Sequence, residues 1–170
     1  MFYFNGNKYE GNWSIGQKHG YGVMTSKNGN LYKGNWTFDH REGQGEEEFT
    51  EGTRYKGEFK DNKAHGQGVY WYNDGRRYEG EFVEDRIEGK GVMYYKDGDR
   101  YDGGFSNNKR EGKGTYFWRN GDKFVGIFVQ DQIDGTGVYY LSLKLSIFHD
   151  FYIFFLSNHS DFFFFNFLIK

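Results

Sequence analysis

Aromatic and glycine residues recur along most of the chain with a period of 23 residues. In each repeat an aromatic residue, a glycine and a second aromatic residue stand two positions apart, and mostly polar residues separate them. The first aromatic positions are Tyr9, Tyr32, Tyr55, Tyr78, Tyr101 and Phe124, the glycines are Gly11, Gly34, Gly57, Gly80, Gly103 and Gly126, and the second aromatic positions are Trp13, Trp36, Phe59, Phe82, Phe105 and Phe128. This period of two predicts a β-strand with one aromatic face and one polar face.

The second half of each repeat contains a glycine pair, an apolar run and a turn dipeptide. In one repeat Gly66 and Gly68 precede the run at 69–72, which leads to Asp74-Gly75. Asn-Gly and Asp-Gly dipeptides between strands are a strong signal for a β-hairpin. We therefore predict hairpins centred on these dipeptides and joined by polar segments such as 60–65. About thirteen strands of this kind would form an elongated sheet of about 60 Å.

The composition favours an all-β protein in a reducing compartment. The sequence has 26 glycines, 19 phenylalanines and 15 tyrosines, but one alanine, Ala64, and no proline or cysteine. Aromatic residues favour strands, whereas alanine is the best helix former. The lack of cysteine excludes disulfides and thiolate sites. The first residues lack the features of a signal peptide, so we expect a cytoplasmic protein. A net charge of −2 gives no general attraction to nucleic acid.

No group of residues in the sequence predicts catalysis. His19 and His65 occupy a repeat position that is Glu or Asp in the other four repeats, which is typical of a structural or solvated site. Asp97 and Asp99 lack the terminal glutamate of a calcium loop, and the segment 112–115 does not complete a phosphate-binding loop. We therefore expect a protein that is not an enzyme and that uses neither a metal nor a cofactor.

The repeat as a whole closely resembles the MORN (membrane occupation and recognition nexus) repeat. Residues 78–82 read Tyr-Glu-Gly-Glu-Phe, residues 88–91 read Glu-Gly-Lys-Gly, and Asp97-Gly98 follows; the resemblance covers Phe2 to about Leu141. It implies a single-layered, twisted antiparallel sheet of stacked hairpins. It also implies a scaffold, dimerisation or docking role, often in cytoskeletal, ciliary or membrane-apposed assemblies. A regulatory segment related to phosphatidylinositol phosphate kinases is an alternative, since some members of the family carry lipid-kinase domains.

The aromatic face is the predicted working surface. A single-layered sheet has no second layer to cover large aromatic side chains, and uncovered aromatic stripes indicate a partner. We predict a protein partner, either an amphipathic helix or a second copy of the chain, with lipid as an alternative. The predicted partner-binding residues are Trp13, Trp36, Tyr70, Tyr72, Phe82, Tyr95 and Trp118.

Two charged features accompany this face. A cationic row precedes the first aromatic residue of four repeats and comprises Arg54, Arg76, Arg77, Arg100 and Lys123. The row suits peripheral contact with acidic phospholipid or an acidic partner, or it pairs with nearby carboxylates such as Glu79. In one repeat Glu46, Glu47 and Glu48 replace the apolar strand, which predicts a frayed hairpin or an exposed acidic site for a basic partner.

The repeat pattern ends after Leu141, which divides the chain into an array, 1–141, and a phenylalanine-rich tail, 142–170. Charged residues and histidines interrupt the tail and argue against a membrane span. In the last repeat the polar face becomes apolar at Val125, Ile127 and Val129. We predict that the tail caps this end, with a disordered tail as the alternative. A short capping helix would contain Ile147, Phe148, Phe151, Tyr152 and Phe155.

Overall fold

Every regular element of the described chain is a β-strand. The computed structural model describes residues 1–143, 151–156 and 166–168, and it contains no helix within these ranges. The prediction of an all-β fold is confirmed. The strands are β1 (Lys8–Ser14), β2 (Gln17–Thr25), β3 (Leu31–Thr37), β4 (His40–Glu48), β5 (Arg54–Lys60), β6 (Lys63–Trp71), β7 (Arg77–Val83), β8 (Arg86–Tyr94), β9 (Arg100–Ser106), β10 (Lys109–Phe117), β11 (Lys123–Val129), β12 (Gln132–Leu143), β13 (Phe151–Leu156) and β14 (Asn166–Leu168).

The strands belong to two units, Met1–Glu88 and Gly89–Lys170. In the first unit β1 to β7 pair antiparallel in chain order. The same order continues from β8, which begins in the first unit and lies mostly in the second, to β14. The register places like residues of the two halves of a repeat opposite each other, so that Gly57 lies opposite Gly68 and Tyr55 lies opposite Tyr70. Each unit therefore has rows of like residues that run across its strands.

Two-residue turns join the strands within each repeat. In all six of these turns both residues have positive φ, for example Asp61 at 47° and Asn62 at 69°. Positive φ at both positions is the geometry of a type I′ turn, which matches the twist of paired strands and favours Asn, Asp and Gly. The prediction of a joining segment at 60–65 is wrong, because β5 and β6 pair as far as Lys60 and Lys63. The signal was present in the sequence as Asp61-Asn62.

The Asn-Gly and Asp-Gly dipeptides form longer turns between repeats, as predicted. In one of these turns the Tyr72 amide donates to the Arg76 carbonyl at 2.9 Å, and the Gly75 amide donates to the Tyr72 carbonyl at 3.1 Å. Gly75 has a φ of +94°. Glycine adopts this conformation without the steric cost that a Cβ atom brings. At the start of the chain, the residues before Asn5-Gly6 form only a single bridge, between Phe2 and Lys8.

The core consists of tyrosine rings that lie over glycine backbone. A Cβ atom placed on Gly22 would lie 2.2 Å from the Tyr9 Oη atom and 2.4 Å from Cζ of the same ring, so only glycine fits beneath it. The Tyr9 hydroxyl donates to the Asn12 carbonyl at 2.9 Å. The same bond to the residue three positions on recurs at Tyr32, Tyr55, Tyr78 and Tyr101. Aromatic rings therefore cover the strand glycines along the array.

Edge-to-face contacts link these rings into what we call the aromatic ladder of each unit. Trp36 packs between Tyr9 and Tyr32 with centroid distances of 5.5 and 5.1 Å. In the second unit Tyr101 packs between Phe105 and Phe128 at 5.2 and 4.8 Å. Such pairs contribute about 0.5–1.5 kcal/mol each beyond the area that they bury. The buried members of the ladders are Tyr9, Tyr32, Trp36, Tyr55, Phe59, Tyr78, Phe82, Tyr101, Phe105, Phe124 and Phe128.

The capping helix in the tail is a wrong prediction where the structure describes it. Residues Phe151–Leu156 form β13, which pairs antiparallel with β12. The free edge of β12 would present unpaired backbone groups, and a segment rich in Phe, Tyr and Ile suits a strand that pairs with them. Ile147 and Phe148 lie outside the described residues. The segment therefore extends the edge of the sheet.

Candidate docking surface

A second row of aromatic side chains lies beside the buried ladder, on the same face of each unit. In the second unit this outer aromatic row comprises Tyr95, Tyr116, Trp118 and Tyr139, all half-buried. The ring centroids are 5.8 Å apart for Tyr95 and Tyr116, 5.0 Å for Tyr116 and Trp118, and 5.9 Å for Trp118 and Tyr139. The last two rings are stacked with 18° between their planes. The row thus presents aromatic rings that remain partly accessible to solvent.

Tyr116 is the fixed centre of this row. It lies opposite Tyr101 on one neighbouring strand and Phe124 on the other. Its hydroxyl donates to the Asp99 carboxylate at 2.7 Å. Burial, followed by the hydrogen bond to Asp99, raises the pKa of Tyr116 above its usual range. These contacts hold the ring in one orientation, so the Tyr116 side chain would lose little conformational entropy when a partner binds.

The first unit carries a shorter outer aromatic row, formed by Phe49, Tyr70 and Tyr72. The Tyr70 and Tyr72 centroids are 4.7 Å apart. The Arg76 guanidinium lies 4.4 Å from the Tyr72 ring centroid, and its Nε atom is 2.8 Å from the Asp74 carboxylate. The three aromatic side chains are half-buried. Both units therefore offer aromatic surface at equivalent positions of the repeat.

The structure divides the predicted partner-binding residues into two groups. Tyr70, Tyr72, Tyr95 and Trp118 lie in the outer aromatic rows, and Trp13 is 40% exposed at the first strand. Trp36 and Phe82 are only 5% and 3% exposed, because they are rungs of the aromatic ladder. The assignment of Trp36 and Phe82 to a partner-binding surface is therefore wrong. Alternation along a strand identifies the face of a residue but not its depth within that face.

Cations of the chain itself pack over the ladder in three repeats, a feature that sequence reasoning missed. The Arg41 guanidinium lies 5.4 Å from the Tyr32 centroid and 5.1 Å from the Phe59 centroid. Lys18 lies over Trp36 at 5.0 Å, and Arg110 lies over Tyr101, Tyr116 and Phe128 at 5.6, 5.5 and 5.4 Å. The signal in the sequence is a cation nine residues after the first aromatic position in these repeats.

The acidic run is ordered, so the prediction of a frayed hairpin is wrong. β4 is paired along its length with β3 and β5. The Glu47 carboxylate lies 2.6 Å from Nη1 of Arg41, and the Glu46 carboxylate lies 2.7 Å from Nη2 of Arg54. Basic residues of the same and the neighbouring strands thus neutralise these two carboxylates within the sheet.

Most of the predicted cationic row is engaged within the protein. Arg54 pairs with Glu46 as described above, Arg77 lies 3.1 Å from the Glu79 carboxylate, and Arg76 binds Asp74. Arg54 also lies over Trp71 at 4.7 Å, Arg100 lies over Phe117 at 4.2 Å, and Lys123 lies over Tyr140 at 4.3 Å. These aromatic partners follow the outer-row tyrosine by one position, so they lie on the opposite face. Pairing with carboxylates weakens the attraction that the row offers to an external anion.

The opposite face of the second unit is apolar near its last repeats, as the sequence predicts. Lys113, Thr115, Val125, Ile127 and Thr136 line an open cavity of about 440 Å³. Val125 and Val129 are each 39% exposed. Within the described ranges no group of three or more His, Asp or Glu side chains is placed to hold a metal ion. None of the described residues forms a helix that is long and apolar enough to cross a membrane.

Comparison with known proteins identifies the repeat and one similar fold. The family model for the MORN repeat matches residues 9–31, 32–54, 55–76, 78–100, 101–123 and 124–142. No curated protein matches the chain. One similar solved structure is the TCP domain of SAS-4 (dCPAP) of Drosophila melanogaster in complex with a proline-rich motif of Ana2 (dSTIL). It has 11% sequence identity and a TM-score of 0.52, and the match covers 96% of this chain and 90% of that chain.

Proposed function

The chain belongs to the MORN repeat family, and on that basis we propose that it is a non-catalytic interaction module that docks a segment of a partner protein on its outer aromatic rows. The observation that carries the proposal is the half-exposed row of Tyr95, Tyr116, Trp118 and Tyr139 in the second unit. Aromatic side chains supply large contact areas and dominate the binding energy of many interfaces. We expect the protein to act in the cytoplasm.

The geometry of the row supports docking of an extended segment. Its rings lie in or directly after every second strand, β8, β10 and β12, with neighbouring centroids about 5–6 Å apart, so the row continues across these strands instead of forming one closed pocket. Extended proline-rich segments bind grooves lined by aromatic rings because such segments are already ordered before binding. The SAS-4 domain, whose fold is similar, is bound to a proline-rich motif. A proline-rich or otherwise extended partner segment is therefore the form that we propose.

Affinity capture with the wild type and three variants tests this proposal. Trp118→Ala and Tyr95→Ala remove ring area from the outer aromatic row without touching the glycines beneath the ladder. Tyr21→Ala is the control, because Tyr21 is a 58% exposed aromatic residue of β2 on the face of the first unit that is opposite to its aromatic ladder. Quantitative mass spectrometry should show partners that are retained by the wild type and Tyr21→Ala and lost from the other two variants. Equal retention by all folded variants would exclude the row as the docking surface.

Peripheral binding to acidic phospholipid is the weaker candidate. Arg54, Arg76 and Arg77 of the cationic row each have a carboxylate within 3.1 Å. Liposome flotation with a salt titration separates the two functions. Lipid binding through the row should fall steeply with ionic strength, whereas docking on aromatic rings should change little. Flotation that is lost in Arg100→Gln and unaffected by Trp118→Ala would favour the lipid function.

A further inference from the structure

One position of the repeat is filled by a cation in three repeats and by alanine in one. The position holds Lys18, Arg41, Ala64, Ile87, Arg110 and Ile133 in the six repeats. Where the residue is Lys or Arg, its charged group packs against the rings of the aromatic ladder. Ala64 is the only alanine of the chain, and its methyl group cannot reach the rings that the longer side chains cover.

The surroundings of Arg110 define what such a cation contacts. Its guanidinium lies over Tyr101, Tyr116 and Phe128. Its Nε atom lies 3.2 Å from the Asp131 carboxylate, and the backbone amide of Arg110 donates to the same carboxylate at 2.9 Å. The cation of this repeat is therefore surrounded by three aromatic rings and one carboxylate.

The same four groups surround Ala64 without the cation. Two repeats earlier, 46 residues back in the chain, the positions equivalent to Tyr101, Tyr116, Phe128 and Asp131 are Tyr55, Tyr70, Phe82 and Asp85. All four line a cavity of about 340 Å³, together with Ala64 and Glu47. The Asp85 carboxylate accepts the Ala64 backbone amide at 2.7 Å, just as Asp131 accepts that of Arg110. A cavity of this volume is at the lower end of the range for sites that bind small ligands.

The charge of the cavity is complementary to a cation. Its charged lining residues are the carboxylates of Asp85 and Glu47 and one cation, Arg41. Arg41 already pairs with Glu47 at 2.6 Å, which leaves the Asp85 charge without an opposite side-chain charge in the cavity. Aromatic rings and a carboxylate together favour a guanidinium, which stacks on rings and donates to carboxylates in the same plane. An apolar occupant would leave the Asp85 carboxylate with less solvent and no counter-charge.

We propose that the cavity at Ala64 binds an arginine side chain supplied by a partner protein. The incoming guanidinium lies over Tyr55 and Phe82 and pairs with Asp85, in the place that Arg110 fills in its own repeat. This inference rests on the proposed function, because the partner that docks on the protein supplies the side chain. It adds a chemical requirement to that function, namely a basic residue within the docked segment.

Amide chemical-shift mapping of the full chain tests the cavity with two small probes. Nα-acetyl-arginine amide carries the guanidinium, and Nα-acetyl-citrulline amide has nearly the same shape without the charge. We expect arginine amide to shift the Ala64 and Asp85 amide resonances several-fold more than citrulline amide does. The absence of these shifts, or equal shifts with citrulline amide, would overturn the proposal.

Variants make the test specific to the cavity. Ala64→Arg places a cation of the chain itself in the cavity, so it should abolish the arginine shifts and raise Tm. Asp85→Asn keeps the acceptor oxygen for the Ala64 amide, as Asn62 does for Arg41, and should reduce the shifts several-fold. Arginine shifts that persist at full size in folded Ala64→Arg or in Asp85→Asn would refute the assignment.

Trp118→Ala separates this inference from the proposed function. The variant leaves every lining residue of the cavity unchanged, so the arginine shifts should remain as in the wild type. If arginine amide does not bind while partner capture still depends on Trp118, the inference fails and the proposed function stands. If arginine amide binds while partner capture is independent of Trp118, the cavity stands and docking on the outer aromatic row fails.

Discussion

A double-mutant cycle on Tyr101 and Gly114 isolates the contact on which the fold depends. A Cβ atom placed on Gly114 would lie 2.3 Å from Oη of Tyr101 and 2.5 Å from both Cε2 and Cζ of the ring, and the ring supplies all three of the nearest atoms. Gly114→Ala must therefore displace a buried ring. Overpacking of this kind costs about 1–3 kcal/mol. Tyr101→Leu removes the distal ring atoms and the hydrogen bond to the Gly104 carbonyl, which costs about 2–4 kcal/mol.

The double variant should be no less stable than Tyr101→Leu alone, because the atoms that meet the new methyl group are absent. The expected interaction energy is therefore about 1–3 kcal/mol in favour of the double variant. Urea denaturation followed by tryptophan fluorescence measures it, and Trp118, one of four tryptophans, contacts Tyr116 on the strand of Gly114. Gly112→Ala is the control: its Cβ atom would meet no atom within 4 Å, but its φ of +73° carries strain. Its cost should add to that of Tyr101→Leu. Additive costs for Gly114→Ala as well would refute the ring-over-glycine account.

Three further perturbations follow from the same contacts. Tyr101→Phe should lower the free energy of unfolding by about 0.5–1.5 kcal/mol through loss of one hydrogen bond, measured by urea denaturation. Burial raises the pKa of Tyr101 to about 12, whereas the phenol of the unfolded chain ionises near 10. The stability that the protonated Tyr101 contributes should therefore be complete below about pH 10 and be lost as the pH rises toward 12. Thermal melts across this range will show the loss. Arg41→Ile should cost about 1–3 kcal/mol by leaving the half-buried Glu47 unpaired. Adding Glu47→Tyr, which reproduces the Ile133 and Tyr139 combination of the last repeat, should recover most of the loss in Tm.

The strands and the ring-over-glycine core follow from local pattern. Period-two alternation, with glycine opposite glycine, identifies the strands and the face of each residue without tertiary information. The same pattern missed the two-residue turns, although Asp61-Asn62 has the residue types that a type I′ turn requires. The Asn-Gly and Asp-Gly dipeptides drew attention to the longer turns because they are the stronger general signal.

The candidate site is less predictable, because it depends on which side chains are covered by others. Trp36 and Trp118 both appear as aromatic residues of the same face, yet Trp36 is enclosed by Tyr9 and Tyr32, whereas Trp118 is half exposed. From the sequence Glu47 is expected to be an exposed acidic residue, but in the structure it forms an ion pair with Arg41, six residues earlier in the chain. Contacts across strands decide both cases, and they depend on side-chain length and register more than on residue type.

Site-specific photocrosslinking tests the docking function most directly. A photoreactive phenylalanine analogue is placed at Trp118 in the outer aromatic row and, in a second preparation, at Tyr21 on the opposite face. Trp118 is half-buried in the second unit and Tyr21 is exposed in the first unit, so each position reports one face of its own unit. We predict that the Trp118 position yields a discrete crosslinked partner and that the Tyr21 position does not. A partner crosslinked at Tyr21 but not at Trp118, or equally at both, would contradict docking on the outer aromatic row.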